Sequence, residues 1–493
     1  MATIWLNGVP QTVTAGTRLS EVLSRAPHPC GGKGICGKCR VRATGALSPL
    51  SAEEERHLTP FEIADGVRLS CCTVVEGDCR VTLSADTVMA VVTDGKAAVN
   101  AAEAAFAAYG VAVDIGTTTV AARLYNTAGH LLAQEGCPNP QTAFGADVLS
   151  RIQAAGEGWD LTAPLRYVVN GLITRLSATA GISPAAIDGA VITGNTAMLC
   201  FLSGTDPTSL SRAPFSLPRP FDETVTAAGI GLTALAPNRP VYLPPCASAF
   251  IGADALCAAL ACDVGDERTA MLLDMGTNGE MLLAHQGRLY ACSTAAGPAF
   301  EGVGISCGLP AVAGAIDAVT SLGGGYLPHV IGGGHAAGIC GSGLVDAAAC
   351  LLAMEEMDDS GSLGVAAVAL CDGVYLTQAD IRALQQAKAA VCAGMHTLLR
   401  RAALTAAAVE VLYTAGGFGS RLNRRSATAI GLLPQGLTAR IEPVGNAALD
   451  GAAHLLLDVS ARGQVTALAE KMHVIELATD PDFADLFIKN MSF

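Results

Sequence analysis

At 493 residues, the chain is too long for one hydrophobic core and divides into roughly three compact units at about 150 residues each. Its 30 Lys+Arg against 44 Asp+Glu leave a formal net charge of −14, which excludes a general nucleic-acid binder with a basic face. The longest charge-free stretch, Ala318 to Val345, holds nine glycines and two histidines, so no membrane span is expected, and MATIWLNGVPQTV lacks the basic and apolar regions of a signal peptide; the expected location is the cytoplasm.

Charge and cysteine are unevenly used. Residues 1–84 carry nine Lys/Arg and eight Asp/Glu, a net of +1, and the remaining 409 carry 21 and 36, a net of −15. That shift predicts two modules with different tasks. Seventeen cysteines, an odd number spread along an apolar chain, exclude a secreted disulfide scaffold and leave ligand spacing as the question.

The N-terminal segment alternates as short strands, Thr3–Leu6 and Gln11–Thr14, around an Asn7-Gly8 hairpin turn. Thr17 is placed to cap a helix through Ser24. After a glycine-rich loop, strands are expected at Arg40–Ala43, Arg68–Val75 and Arg80–Leu83, the order of an α+β β-grasp unit. Residues 85–109 read as a linker with helical character. Beyond them, strands at Val111–Asp114, Ala190–Thr193, Ala270–Asp274 and Val409–Thr414 alternate with helices at Gly145–Ala155, Leu165–Ala180, Ser248–Ala261, Gln378–Leu399 and Asn446–Leu457. This alternation predicts a layered α/β body. The expected units are 1–84, the linker 85–109, a first lobe 110–270 and a second lobe 271–493.

Cys30, Cys36, Cys39 and Cys71 form C-x5-C-x2-C-x31-C, one residue from the plant-type [2Fe–2S] pattern. Four thiolates must converge on two irons, and Gly31, Gly32, Gly34 and Gly37 let the loop's N–H groups turn inward. A zinc site would pair the C-x2-C with a second one or with histidines, which is not the pattern here. Cys71, at the end of a strand, is the expected fourth ligand. Cys72 is the alternative, although strand alternation would turn it to the opposite face, and Cys79 reads as a plain strand residue. Lys33, Lys38, Arg40 and Arg42 crowd the loop, either as a solvated surface or as a docking face for an acidic partner.

Val113-Asp114-Ile115-Gly116-Thr117-Thr118 is echoed by Leu273-Asp274-Met275-Gly276-Thr277-Asn278, each between two strands. Such turns let Gly116, Thr117, Thr118 and Thr119 wrap a phosphate chain, with Gly276, Thr277 and Asn278 facing it from the other lobe. Asp114 can hold Mg²⁺ through water, Asp274 joins Gly276, Thr277 and Asn278 around the phosphates, and both are the expected catalytic residues. Gly416, Gly417, Phe418 and Gly419 would admit adenine and ribose, and Gly341 and Ser342 open a helix as an anion site or merely as packing. Asp147 and Asn195 line the cleft or serve structural hydrogen bonds. His329, His335 and Cys340 have no common metal-site spacing, and no P-loop or dinucleotide fingerprint occurs.

Together these hairpins resemble the superfamily of acetate and sugar kinases, heat-shock chaperones and actin, which implies an actin-like, ribonuclease H-like two-lobed ATPase; GNAALDGAAHLLL, 445–457, resembles that fold's second connecting helix. A ferredoxin-type domain beside an ATP cleft suggests hydrolysis coupled to an unfavourable electron transfer. With CGGKGICGKCRV, RLSC, VAVDIGTTTVAARL, NPQTAFGADVLSRI, VITGNTAM, DMGTNGEM, GPAFEG, GICGSGLVD, GGFGSRLN and IELATDPDF, the chain resembles the reductive activators of corrinoid proteins along nearly its whole length. The resemblance implies a [2Fe–2S] cluster, ATP and Mg²⁺ as cofactors. Its partners would be a corrinoid protein of a methyltransferase system and an upstream low-potential electron donor, with a homodimer also implied. The activity implied is reduction of cob(II)alamin to cob(I)alamin. The chain departs from some members in having only a short linker between the two parts. The alternatives are an activator of another low-potential redox enzyme, a small-molecule kinase with a redox-sensing iron–sulfur domain, and a non-enzymatic ATP-binding module.

Overall fold

The computed structural model describes residues 1–6, 9–23, 32–34, 37, 39–58, 60–82, 103–265, 268–419 and 421–493. The Asn7-Gly8 turn, Cys30, Cys36, Lys38, Ser420 and most of the expected linker, 83–102, lie outside them.

The N-terminal sheet runs in the order Val9–Val13, Ala2–Leu6, Val75–Thr82, Arg40–Leu47, Val67–Leu69, with Ala2–Leu6 parallel to Val75–Thr82. Ile4, Leu19, Leu23, Val41, Val75 and Val81 fill its core. Three local expectations are corrected. The short helix Leu19–Val22 starts from Arg18 without a side-chain cap, because Arg18 is bridged to Val74 and the Thr17 carbonyl accepts the Val75 N–H at 2.9 Å. The stretch Arg68–Val75 is not one strand: Val67–Leu69 ends in a turn over 70–72, and the next strand is Val75–Thr82. Two helices that the sequence pattern did not announce, Ala52–His57 and Pro60–Ala64, fill the gap between Leu47 and Val67.

Residues 103–108 are not helical; Ala105 N–H donates to Leu456 O at 2.8 Å, and Phe106 is buried. Tertiary hydrogen bonding outweighs the helix propensity of the alanines there.

The two lobes repeat one design. The first sheet runs Glu223–Thr226, Pro240–Leu243, Ile187–Gly194, Tyr109–Ile115, Thr119–Asn126, Leu131–Pro138. The second runs Arg440–Gly445, Val411–Ala415, Ala270–Met275, Gly279–His285, Arg288–Thr294, Met472–Val474. In each, the strand that ends in the Asp-x-Gly turn pairs antiparallel with the strand after the turn and parallel with a strand on its other side.

Two helices cross between the lobes. Ala447–Leu457 follows the second sheet yet buries Leu449, Ala452 and Leu456 against Ala112, Ala121 and Val191 of the first. Ala253–Ala261 follows the first sheet and buries Ala255, Ala258 and Ala259 against Ala270, Leu272 and Val411 of the second. The helices approach so closely that a Cβ on Gly451 would lie 2.0 Å from Cys257 O. A buried ion pair, Arg123 Nη1 to Asp450 Oδ1 at 2.6 Å, fastens the returning helix to the first sheet.

Candidate functional site

In the N-terminal unit, Cys39 and Cys71 converge, with Sγ atoms 3.1 Å apart and both side chains buried. Cys39 precedes the strand Arg40–Leu47, and Cys71 sits in the turn whose Ser70 N–H donates to Cys39 O at 2.9 Å. The neighbouring thiol and burial push Cys71 upward, so two thiolates this close need a cation between them, as an iron pair supplies. Gly32, Gly34 and Gly37 all take left-handed φ, and Gly32 packs over Cys71 while Gly34 packs over Cys72. The donor set therefore fits an iron–sulfur group, with Cys30 and Cys36 outside the described residues.

Cys72 does not face away. Its Sγ lies 3.6 Å from that of Cys71, because these residues form a turn, where strand alternation does not apply. The turn is locked by Glu54, which is fully buried and accepts from Arg68 at 2.8 Å, Leu69 N–H at 2.9 Å and Thr73 Oγ1 at 3.1 Å. The expected basic face is reduced: Arg40 pairs with Glu62 at 3.0 Å and Arg42 pairs with Asp65. A Cβ on Gly32 would lie 3.7 Å from Ala143 O, so the loop comes near the first lobe. There Asn139, beside the turn Pro140–Ala143, donates to Gly116 O at 2.8 Å.

The two Asp-x-Gly turns face one cleft. Gly116 N–H donates to Thr119 O, and Gly276 N–H to Asn278 O, each at 2.9 Å. Asp114 and Asp274 stand near the ends of equivalent strands, and Asp274 raises the cost of ionising Asp114. Burial and then Asp274 push Asp114 up to about 7, against a pull from Asn446, which donates to it at 3.0 Å. Burial pushes Asp274 up to about 6. Asp254, in the first turn of the helix Ala253–Ala261, is raised to about 7 by burial and Asp114, and Glu280 is raised by burial and Asp254. Among the described residues no three acids stand close enough to ligate a metal ion directly, so a divalent cation here would have to be held through water.

Asp254, Glu280 and Glu301 were not singled out from the sequence. Glu280 and Glu301 stand within DMGTNGEM and GPAFEG, which were the available signal, whereas Asp254 had none. Asn195 serves both weighed roles: its side chain caps the helix Thr196–Ser203 and donates to Thr117 Oγ1 at 3.0 Å. Asp147 is the capping residue of the helix Val148–Gly156.

Gly416–Gly419 forms one helical turn, and Gly416 packs against Asp274, so the third glycine element does reach the cleft. Phe418 is buried and stacks on Phe300 with centroids 4.6 Å apart; Gly417 is exposed. At Gly341 a Cβ would meet Phe300 O at 2.2 Å, and Ser342 Oγ donates to Asp317 O at 2.8 Å, so both are engaged in packing at the start of the helix Gly341–Ala353. His329 bonds Asp317 at 2.5 Å.

No helix among the described residues is long and apolar enough to cross a membrane. Residues 4–76 match the 2Fe-2S iron-sulfur cluster binding domain, 109–267 the RACo middle region, and 268–493 the C-terminal ASKHA domain of RACo. The chain is 32% identical over 419 residues to the corrinoid activation enzyme RamQ of Eubacterium limosum, covering 78% of this chain and 70% of RamQ. It is 29% identical over 281 residues to the [Co(II) methylated amine-specific corrinoid protein] reductase of Methanosarcina barkeri, 52% of each chain. The solved structure of a reductive activator for corrinoid, iron-sulfur protein superposes with a TM-score of 0.71 and 27% identity, covering 100% of this chain and 98% of that one. From the paired cysteines at one end to the twin hairpins at the other, the chain belongs to the RACo family: a 2Fe-2S domain joined to the RACo middle region and an actin-like ASKHA domain.

Proposed function

We propose that this chain reduces the Co(II) corrinoid of a methyl-carrier protein to Co(I), one electron at a time, at the expense of ATP hydrolysis. The observation that carries the reading is the union on one chain of two thiols 3.1 Å apart in a 2Fe-2S domain and a two-hairpin nucleotide cleft. A [2Fe–2S] group held by Cys30, Cys36, Cys39 and Cys71 supplies a one-electron relay when bound. Asp114 and Asp274 would hold Mg²⁺ through water, and Thr117, Thr118, Thr119, Gly276, Thr277 and Asn278 would bind the phosphates. Residues 416–419 would flank the adenosine, with Gly341 and Ser342 behind them.

Closure of the lobes over nucleotide supplies the work. An acceptor about 200 mV below the relay needs roughly 5 kcal/mol for one electron, at about 1.4 kcal/mol per 59 mV. The approach of the Gly32 loop to Ala143, and the bond of Asn139 to Gly116, support a route from the relay to the first phosphate hairpin. The electron comes from a low-potential donor, and the working location is the cytoplasm.

The test mixes reduced protein with a Co(II) corrinoid protein and follows the Co(I) absorbance. Co(I) should form promptly with Mg-ATP and not without it. Cys36→Ser should abolish the visible cluster spectrum and spare ATP binding, and Asp274→Ala should do the reverse. Activation that survives Cys36→Ser would refute the relay.

A further inference from the structure

Glu301 bonds a side-chain hydroxyl in each of the two hairpins. Its carboxylate accepts from Thr277 Oγ1 at 2.9 Å and from Thr118 Oγ1 at 3.3 Å. Thr118 lies in the first hairpin and Thr277 in the second, so the carboxylate sits where the two phosphate turns converge. Among the other acids, Asp114 accepts from Asn446, 332 residues on and outside both hairpins, whereas Asp254 takes the Ala255 N–H at 2.8 Å and Glu280 takes Ser293 Oγ at 3.3 Å.

The backbone around Glu301 is built for rigidity. It ends the 3-10 turn Pro298–Glu301, which Gly297 ties to the second hairpin by donating to Thr277 O at 3.1 Å. Phe300 stacks on Phe418 of the third glycine element. Gly302 closes the turn at φ +75°, where a Cβ would lie 2.5 Å from Leu309 O.

A buried cation acts on this carboxylate. Arg151 is fully buried, its Nε donates to Gly145 O at 3.0 Å, and its Nη2 has no hydrogen-bond partner among the described residues. Its charge acts on Glu301. Burial pushes Glu301 upward and Asp274 adds to that, while Thr277, Thr118 and Arg151 draw it back.

We propose that Glu301 is the catalytic carboxylate of ATP hydrolysis, orienting the attacking water and taking its proton. This rests on the ATPase half of the proposed function. On nucleotide entry the Thr118 and Thr277 hydroxyls turn to phosphate oxygens, which frees the carboxylate for water. The water oxygen bonds to the γ-phosphorus, the bond from that phosphorus to the bridging oxygen breaks, and the electron pair stays on the β-phosphate of ADP. The water proton passes to Glu301 and then to solvent.

The test uses the full chain carrying Glu301→Gln or Glu301→Asp. Two quantities are measured without any corrinoid protein: single-turnover hydrolysis of Mg-ATP, and calorimetric binding of a non-hydrolysable ATP analogue. Glu301→Gln should bind the analogue within about threefold of the parent and lose about 10²- to 10⁴-fold in hydrolysis. Glu301→Asp should keep binding and lose at least about tenfold, with hydrolysis above that of the Gln variant. Hydrolysis within about threefold of the parent in either variant overturns the assignment. So does loss of analogue binding in both, which would make Glu301 a clasp between the hairpins. If Glu301→Gln fails to fold, Glu301→Asp alone decides by the same thresholds. A parent chain that binds ATP without hydrolysing it overturns the ATP-driven reading itself, an outcome distinct from normal parental turnover with unaffected variants.

Discussion

Replacing Gly451 with alanine strikes the place where the two crossing helices meet. The added Cβ would lie 2.0 Å from Cys257 O, 2.4 Å from its C and 2.6 Å from its Cα, whereas ordinary contact begins at 3.4 Å. The obstacle is backbone, so no side chain can turn aside, and the helices Ala253–Ala261 and Ala447–Leu457 must part by about 1.4 Å. Overpacking of this kind costs about 1–3 kcal/mol, and the upper end applies where rigid helices collide. At about 2–4 °C per kcal/mol, the melting temperature should fall by about 5–10 °C. Both helices also carry cleft residues, Asp254 in the first turn of one and Asn446 capping the other, so binding of an ATP analogue should weaken. Gly463→Ala is the matched control. Gly463 lies within the helix Ala461–Lys471 with nothing within 4 Å of its Cβ position, so alanine there should stabilise by about 0.5–1 kcal/mol. Thermal unfolding followed by circular dichroism reads both. A Gly451→Ala chain melting within about 1 °C of the parent would refute the close-approach argument.

Glu54→Gln should destabilise the N-terminal unit by about 3–5 kcal/mol, since it strands the Arg68 guanidinium that now pairs with a fully buried carboxylate. Burial alone would raise Glu54, but Arg68 and the Ser51 and Leu69 N–H groups outweigh it and hold its carboxyl below the ordinary range. Its contribution is therefore full at neutral pH and lost as pH falls through that depressed value; acid titration of the visible cluster spectrum in parent and variant checks this. Cys71→Ser should bleach the cluster spectrum and Cys72→Ser should keep it; the reverse pattern would transfer the fourth ligand to Cys72. Burial lowers Lys388 to about 8, with its Nζ bonded to Ser492 O and 4.9 Å from the Phe493 ring centroid. The unfolded chain then holds more protons between about pH 8 and 10.5, so parental stability should rise across that window by at most about 1.4 kcal/mol per pH unit, and Lys388→Met should flatten the slope in denaturant titrations.

Local chemistry was legible where one short stretch carries the whole signal. An apolar strand ending in Asp-x-Gly-Thr must turn on its glycine and return, and both hairpins formed at the expected residues. The glycine-rich loop likewise takes left-handed backbone at Gly32, Gly34 and Gly37. Strand alternation misled at Cys72, because the turn over 70–72 is imposed by Glu54, whose helix lies outside that stretch. The basic loop lost two of its four charges to Glu62 and Asp65 for the same reason: the partners sit on or beside a helix that only the folded unit reveals.

By itself, then, the sequence determined the ferredoxin-type and actin-like parts, the cysteine spacing and the paired Asp-x-Gly turns, because each is written in contiguous residues whose backbone needs are local. Tertiary structure alone decided that each connecting helix covers the other lobe's sheet and that Asp254 joins the cleft. It also brought Glu301 to Thr118, 183 residues away, and to Thr277, 24 residues away. Such contacts are set by packing between distant segments, and no periodicity in either segment encodes the distance between them.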